Sequence, residues 1–134
     1  MYLLRVVPFF AVLAVILFSG LKPEPVPQLF NHQDKLHHLL GFAALMFTLR
    51  LAFPQWRLVW AVLTSLSAAL LIELVQGMHP YRMASAGDML ANALGVLLGG
   101  GCAQLAFAWY ARSVAPQPEM DEQGVASLES ASQS

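Results

Sequence analysis

"YRMASAGDMLANALGVLLGG", residues 81–100, carries Arg82, Ser85, Asp88 and Asn92 into an otherwise apolar run that closes on paired glycines. Ser85, Asp88, Asn92, Gly95 and Gly99 follow one another at offsets of 3, 4, 3 and 4. At about 100° per residue they share an arc of about 80° on one helix face. The polar groups and the glycines form a stripe, and the rest of the helix is greasy. Such a helix belongs in a bundle whose inside is more polar than its outside.

The whole chain fits that description. Hydrophobic residues make up 57% of its 134 residues and charged residues 11%. A chain this short cannot bury so much apolar surface in a water-soluble core, so lipid is the expected solvent. The formal net charge of −1 hides an asymmetry. All seven Lys and Arg precede residue 113, opposed there by Glu24, Asp34, Glu73 and Asp88, whereas Glu119, Asp121, Glu122 and Glu129 make the tail acidic. A mildly basic body with an acidic tail carries no nucleic-acid footprint. Cys102 is the single cysteine and lies within an apolar run, which excludes an internal disulfide and predicts a buried, inert thiol.

Four apolar segments stand out: Tyr2 to Leu21, closed by "KPEPVPQ"; Asp34 to Phe53, closed by "FPQW"; Arg57 to Gln76; and Ala86 to Tyr110, ending at Arg112. Each approaches the roughly 20 residues that cross a bilayer core. The second is the weakest, because Lys35, His37 and His38 open it and Arg50 lies near its end, so it needs neighbouring helices around it. The first has a signal-peptide-like Arg5 before its apolar core but no A-x-A-like cleavage site, and reads as a retained helix. The expected architecture is an all-α, four-transmembrane-helix bundle over residues 1–112 and a disordered acidic tail over 113–134.

Four crossings put both termini on one side. Arg5, Arg50, Arg57 and Arg112 fall on that side, and Lys22, Lys35 and Arg82 on the other. The positive-inside rule then favours cytoplasmic termini. The parity of crossings also brings the polar residues together. Asp34, Lys35, His37 and His38 open the second helix, Glu73 and Gln76 close the third, and Ser85, Asp88 and Asn92 open the fourth. All of them lie near one membrane face. Ser65, Ala69, Glu73 and Gln76 share about 80° of arc on the third helix, while Asp34, His38 and Gly41 follow i, i+4, i+7 spacing on the second. A charge at the bilayer centre costs about 2.5–3.5 kcal/mol on insertion scales, so these groups should face one another inside the bundle.

Each element also has a purely structural reading. Ser85-x-x-Asp88 has the capping-box pattern, and Asp34 has the type of an N-cap. Gly95-x-x-x-Gly99, extended by Ala103, suits close helix approach. Glu73 has no local cap to make, and an ion pair with Arg82, Lys35 or His38 is its simplest structural role. His37, His38, Asp34, Glu73 and Asp88 have metal-ligand chemistry, but no H-x-x-x-H or H-E-x-x-H spacing organises them, so neither a metal nor another cofactor is expected. His32 and His79 read as loop residues.

The ordered set "DKLHH", "ELVQ" and "YRMASAGDMLANALGVLLG" closely resembles the VanZ-like family of small bacterial membrane proteins. That family shows Asp-Lys-x-x-His at the start of one helix and Glu-x-x-Gln at the end of the next. Its third motif is Arg-x-x-Ser-x-x-Asp-x-x-x-Asn-x-x-Gly-x-x-x-Gly. The matching positions are Asp34, Lys35 and His38; Glu73 and Gln76; then Arg82, Ser85, Asp88, Asn92, Gly95 and Gly99. The match covers residues 34–100 in order and spacing. The resemblance implies a multi-pass protein of the bacterial inner membrane and, through the family's namesake, a link to resistance against the envelope-directed glycopeptide teicoplanin.

Two functions compete. In the first, Asp34, Lys35, Gln76, Arg82, Ser85, Asp88 and Asn92 bind an anionic envelope lipid or lipid-linked precursor, with Arg82, Lys35 and the helix N-terminus holding its phosphate or carboxylate. His38 and Glu73 would then be the acid and base if the lipid is processed. In the second, the polar cluster specifies helix assembly, and the chain is a scaffold or an accessory to another membrane protein or to a second copy of itself. A transporter is a weaker third reading, since no inverted repeat is visible.

Overall fold

The computed structural model describes residues 2–22, 27, 29–80, 85–115 and 132. The described chain is helical, with no strand: α1 Tyr2–Leu21, α2 Gln33–Ala52, α3 Leu58–Gly77 and α4 Ala86–Val114. The helix ends follow backbone rules. Pro54 disfavours helical geometry at Phe53, which takes φ −126°, ψ 66° and closes α2 by donating its N–H to the Leu49 carbonyl. Pro116 does the same to Ala115, so α4 continues past Arg112 to Val114 before it stops. The tail expected from residue 113 therefore begins as helix, and beyond Ala115 it lies, Ser132 apart, outside the described residues.

Successive helices alternate in direction. Gly20 at the end of α1 meets Gln76 at the end of α3, and Lys35 at the start of α2 meets Asp88 at the start of α4. At the opposite end Phe9 of α1 packs edge-on against Phe53, and Arg50 of α2 lies over the Phe107 ring of α4. α2 and α4 thus run parallel, and theirs is the most extensive pairing in the bundle. A Cβ on Gly95 would strike the Leu39 carbonyl oxygen, and one on Gly99 the Ala43 carbonyl. The two glycines let the α2 backbone lie directly against α4.

The core consists of Phe42, Leu45, Met46 and Leu49 of α2, Ala61, Ala69 and Ile72 of α3, and Val96 of α4. Its polar inclusions are Gln33, Arg50, Ser65, Glu73, Gln76, Asp88 and Asn92, all buried. The outer surface is apolar: Leu4, Phe18, Leu71, Leu97 and Leu105 are among many exposed large side chains. An apolar surface of that extent around a helical bundle is lipid-facing.

α1, α3 and α4 are long and apolar enough to cross a membrane. α2 matches them in length but not in apolarity. Its charges, Asp34 and Lys35 in the first turn and Arg50 in the last, sit at its ends, and its flanks pack on α1, α3 and α4. Arg50 is buried and donates to the Trp56 carbonyl in the α2–α3 turn. Exposed Trp56, Trp60, Trp109 and Tyr110 gather at this end, as interfacial aromatics do.

Two expectations need correction. Cys102 is exposed, because an apolar run that would be buried in a water-soluble core faces outward in this bundle. Asp34 does not cap α2. His32 holds the N-cap position in the left-handed conformation (φ 64°) without a side-chain bond, and Asp34 lies in the first turn.

Candidate functional site

The site grows from the start of α4. Ser85 is its N-cap, and Ser85 Oγ accepts the Asp88 backbone N–H at 3.3 Å. In a reciprocal capping box the fourth residue would accept the N–H of the first. Here that N–H goes instead to Glu73 Oε1, from the end of α3. The substitution closes the cap with a residue from another helix and leaves the Asp88 carboxylate free to turn towards α2.

Across that gap lie Lys35 and His38. Lys35 Nζ sits 3.3 Å from Asp88 Oδ1 and 3.4 Å from Asp34 Oδ2. The lysine stem crosses the α4 backbone at Gly87, where an added Cβ would come within 2.9 Å of Lys35 Cε. One turn deeper, His38 Nε2 stands 4.0 Å from Asp88 Oδ2, and His38 Nδ1 is 2.9 Å from Asn92 Oδ1. Because an amide oxygen only accepts, Nδ1 carries the hydrogen in this contact and Nε2 faces the carboxylate.

Parallel helices bring two positive dipole ends together at the starts of α2 and α4. Asp34, Asp88 and Glu73 place negative charge there and offset the repulsion. That structural account covers much of the cluster but not all of it. Glu73 is only 6% exposed and its Oε2 has no hydrogen-bond partner. Asn92 is 0% exposed and its Nδ2 is likewise unpartnered. Buried polar atoms of this kind usually find partners, and the described helix ends supply none for these two; Arg50 Nε, at the other end of the bundle, is a third.

The structure brings Asp34, Lys35, His38, Glu73, Ser85, Asp88 and Asn92 into this one end of the bundle, and ligand atoms of His38, Glu73 and Asp88 all lie within 4.8 Å of one another. Gln76 does something different, donating to the Gly20 carbonyl at 2.9 Å and tying α3 to α1. Arg82 lies outside the described residues. His37 is exposed on the far side of α2, and the backbone of His79 continues the end of α3 by donating to the Gln76 carbonyl. Glu73 has no ion pair among the described residues; the Ser85 N–H takes the place expected for a cation. Sequence reasoning missed Gln33, whose buried Oε1 accepts the Leu29 N–H at 2.6 Å and fixes how the chain enters α2. A glutamine beside the DK pair was its only signal.

The family model described as VanZ/LLP1 matches residues 3–107, a span that takes in α2, α3 and the interacting parts of α1 and α4. The chain belongs to the VanZ/LLP1 family. No curated protein and no solved structure matches it. As a VanZ/LLP1 protein with three helices long and apolar enough to span, it is a multi-pass membrane protein. Asp34, Lys35, His38, Glu73, Ser85, Asp88 and Asn92 all fall inside the matched region, as do Gly95 and Gly99.

Proposed function

We propose that this VanZ/LLP1 protein crosses the bacterial inner membrane four times, with both termini cytoplasmic, and uses the polar end of its bundle to bind the headgroup of an envelope lipid or lipid-linked precursor. α2 serves as the fourth crossing because its charges are at its ends and its flanks are covered by protein. The orientation rests on Arg5, Arg50, Arg57 and Arg112 against Lys22, Lys35 and Arg82. The site then opens outside the cytoplasm, where envelope precursors are used. Residues 1–112 form the membrane domain, with the acidic tail outside it.

The observation that carries the reading is the pair of buried, unpartnered polar atoms, Glu73 Oε2 and Asn92 Nδ2, among residues from three helices. A cluster that served only assembly would have no use for them. Lys35 supplies positive charge at the rim, the sequence adds Arg82 to the α3–α4 connection, and His38 and Glu73 stand where an acid and a base would act on a bound headgroup. Through such a lipid the protein would influence susceptibility to teicoplanin.

A second reading is favoured by a specific observation: Glu73 to Ser85, Lys35 to Asp88 and Gln76 to Gly20 are all ties between helices. In that reading the chain is a scaffold or accessory subunit. Native mass spectrometry of lipids kept by the purified protein separates the two. Wild type should retain a phosphate-bearing lipid that Arg82→Ala retains less well. A wild-type protein with no specific lipid would overturn the headgroup reading and leave assembly as the role of the cluster.

A further inference from the structure

Among the described residues at the meeting point of α2, α3 and α4, lone pairs outnumber donors. Asp34, Glu73 and Asp88 bring three carboxylates, and Lys35 reaches only Asp34 and Asp88. Glu73, the most buried of the three, receives one backbone N–H on Oε1 and nothing on Oε2. A buried ionised carboxylate is costly unless it is paired or coordinates a cation.

The neighbouring histidine is set up in a way that suits the second option. His38 Nδ1 is engaged by Asn92 Oδ1 at 2.9 Å, which leaves the Nε2 lone pair on the side of Asp88 Oδ2, 4.0 Å away. Metal-binding histidines are commonly held in this manner, one ring nitrogen on a carbonyl or carboxylate and the other on the ion. Asp88 is prepared similarly, with Oδ1 on Lys35 and Oδ2 towards the histidine.

We propose that His38, Glu73 and Asp88 form a divalent-cation site through which the protein holds the phosphate of its lipid headgroup. Their ligand atoms lie within 4.8 Å of one another. Ligands at about 2.1 Å from a shared cation stand roughly 3–3.5 Å apart, so side-chain rotation of about an ångström closes the set. One imidazole with two carboxylates suits Mn2+ or Zn2+ better than an all-oxygen ion such as Ca2+. Three protein ligands leave coordination positions open for phosphate oxygens. This second half rests on the headgroup reading; the cation site itself does not. It also explains how a site rich in carboxylates accepts an anionic ligand.

The test uses the full chain purified in detergent, stripped with a chelator and titrated with MnCl2 under electron paramagnetic resonance, with retained lipids weighed by mass spectrometry before and after chelation. The proposal expects a single Mn2+ per chain with a histidine-nitrogen modulation in the pulsed spectrum, displaced by Zn2+. Glu73→Gln and Asp88→Asn should abolish binding, and Asn92→Ala, which releases the histidine ring but leaves all three ligands, should weaken it by about 10–100-fold. If a variant fails to fold, the nitrogen signature of the wild type still decides. No bound Mn2+, or Mn2+ without nitrogen coupling, overturns the cation site; lipid retained unchanged through chelation would then leave the headgroup reading standing. Mn2+ bound with no lipid in either state keeps the cation site and overturns the headgroup.

Discussion

Glu73 Oε1, at the end of α3, accepts the backbone N–H of Ser85, the residue that starts α4. That single bond decides the geometry of the site. It completes the helix cap from outside, so that Asp88 need not fold back on its own helix and can instead meet Lys35 and His38. It also means that the two halves of the cap can be separated by mutation.

Ser85→Ala removes the acceptor for the Asp88 N–H and should cost about 1 kcal/mol, the usual worth of an N-cap. Ser85→Asp should restore most of it. Thermal unfolding in detergent, followed by circular dichroism, reads both. Equal stability of wild type and Ser85→Ala would show that Glu73 alone holds the start of α4.

Gly99→Ala sets a methyl group against the Ala43 carbonyl, with backbone on both sides and no flexible atom to give way. Overpacking of this kind costs about 1–3 kcal/mol. Gly101→Ala, two residues on, meets nothing within 4 Å and should be neutral or slightly stabilising. A melting-point comparison of the two alanine variants isolates the α2–α4 contact from helix propensity. Equal effects would contradict the close parallel packing.

Arg50 lies at the other end of the bundle, donating to the Trp56 carbonyl and covering the Phe107 ring at 5.5 Å from its centroid. Arg50→Met keeps the bulk and loses both interactions. Hydrogen bonds from charged donors contribute about 1.5–3 kcal/mol, so the variant should melt earlier while its Mn2+ titration in the folded fraction is unchanged. A change in Mn2+ affinity would mean that the two ends are coupled.

Cys102 faces outward midway along α4. In membranes it should react with a lipid-soluble maleimide and resist a membrane-impermeant thiosulfonate. Rapid labelling by the impermeant reagent would remove α4 from the bilayer. In a Cys102→Ser background, Asn31→Cys in the turn before α2 should be labelled by the impermeant reagent on intact cells; protection there would reverse the proposed orientation.

The polar stripe of α4 was legible in the sequence because a 3.6-residue period holds within one helix, and Ser85, Asp88, Asn92, Gly95 and Gly99 keep it. The parity of four helices was enough to bring His38, Glu73 and Asp88 to one end. What could not be read was their relative height. Whether Asp88 or Glu73 closes the cap depends on where α3 stops against α4, a tertiary distance with no local pattern. The ligand triad was invisible to spacing rules for the same reason, since its members come one from each of three helices. Cys102 was misjudged because an apolar neighbourhood means burial in water but exposure in lipid.

Glu73→Gln separates a cluster that binds a headgroup from one that only holds helices together. Glutamine keeps an oxygen for the Ser85 N–H and removes the charge. Melting temperature and retained lipid should therefore be measured on the same purified sample. A headgroup-binding cluster predicts a melting temperature close to that of wild type and loss of the specific lipid. A protein that melts much earlier, yet keeps the lipid in its folded fraction, would contradict it.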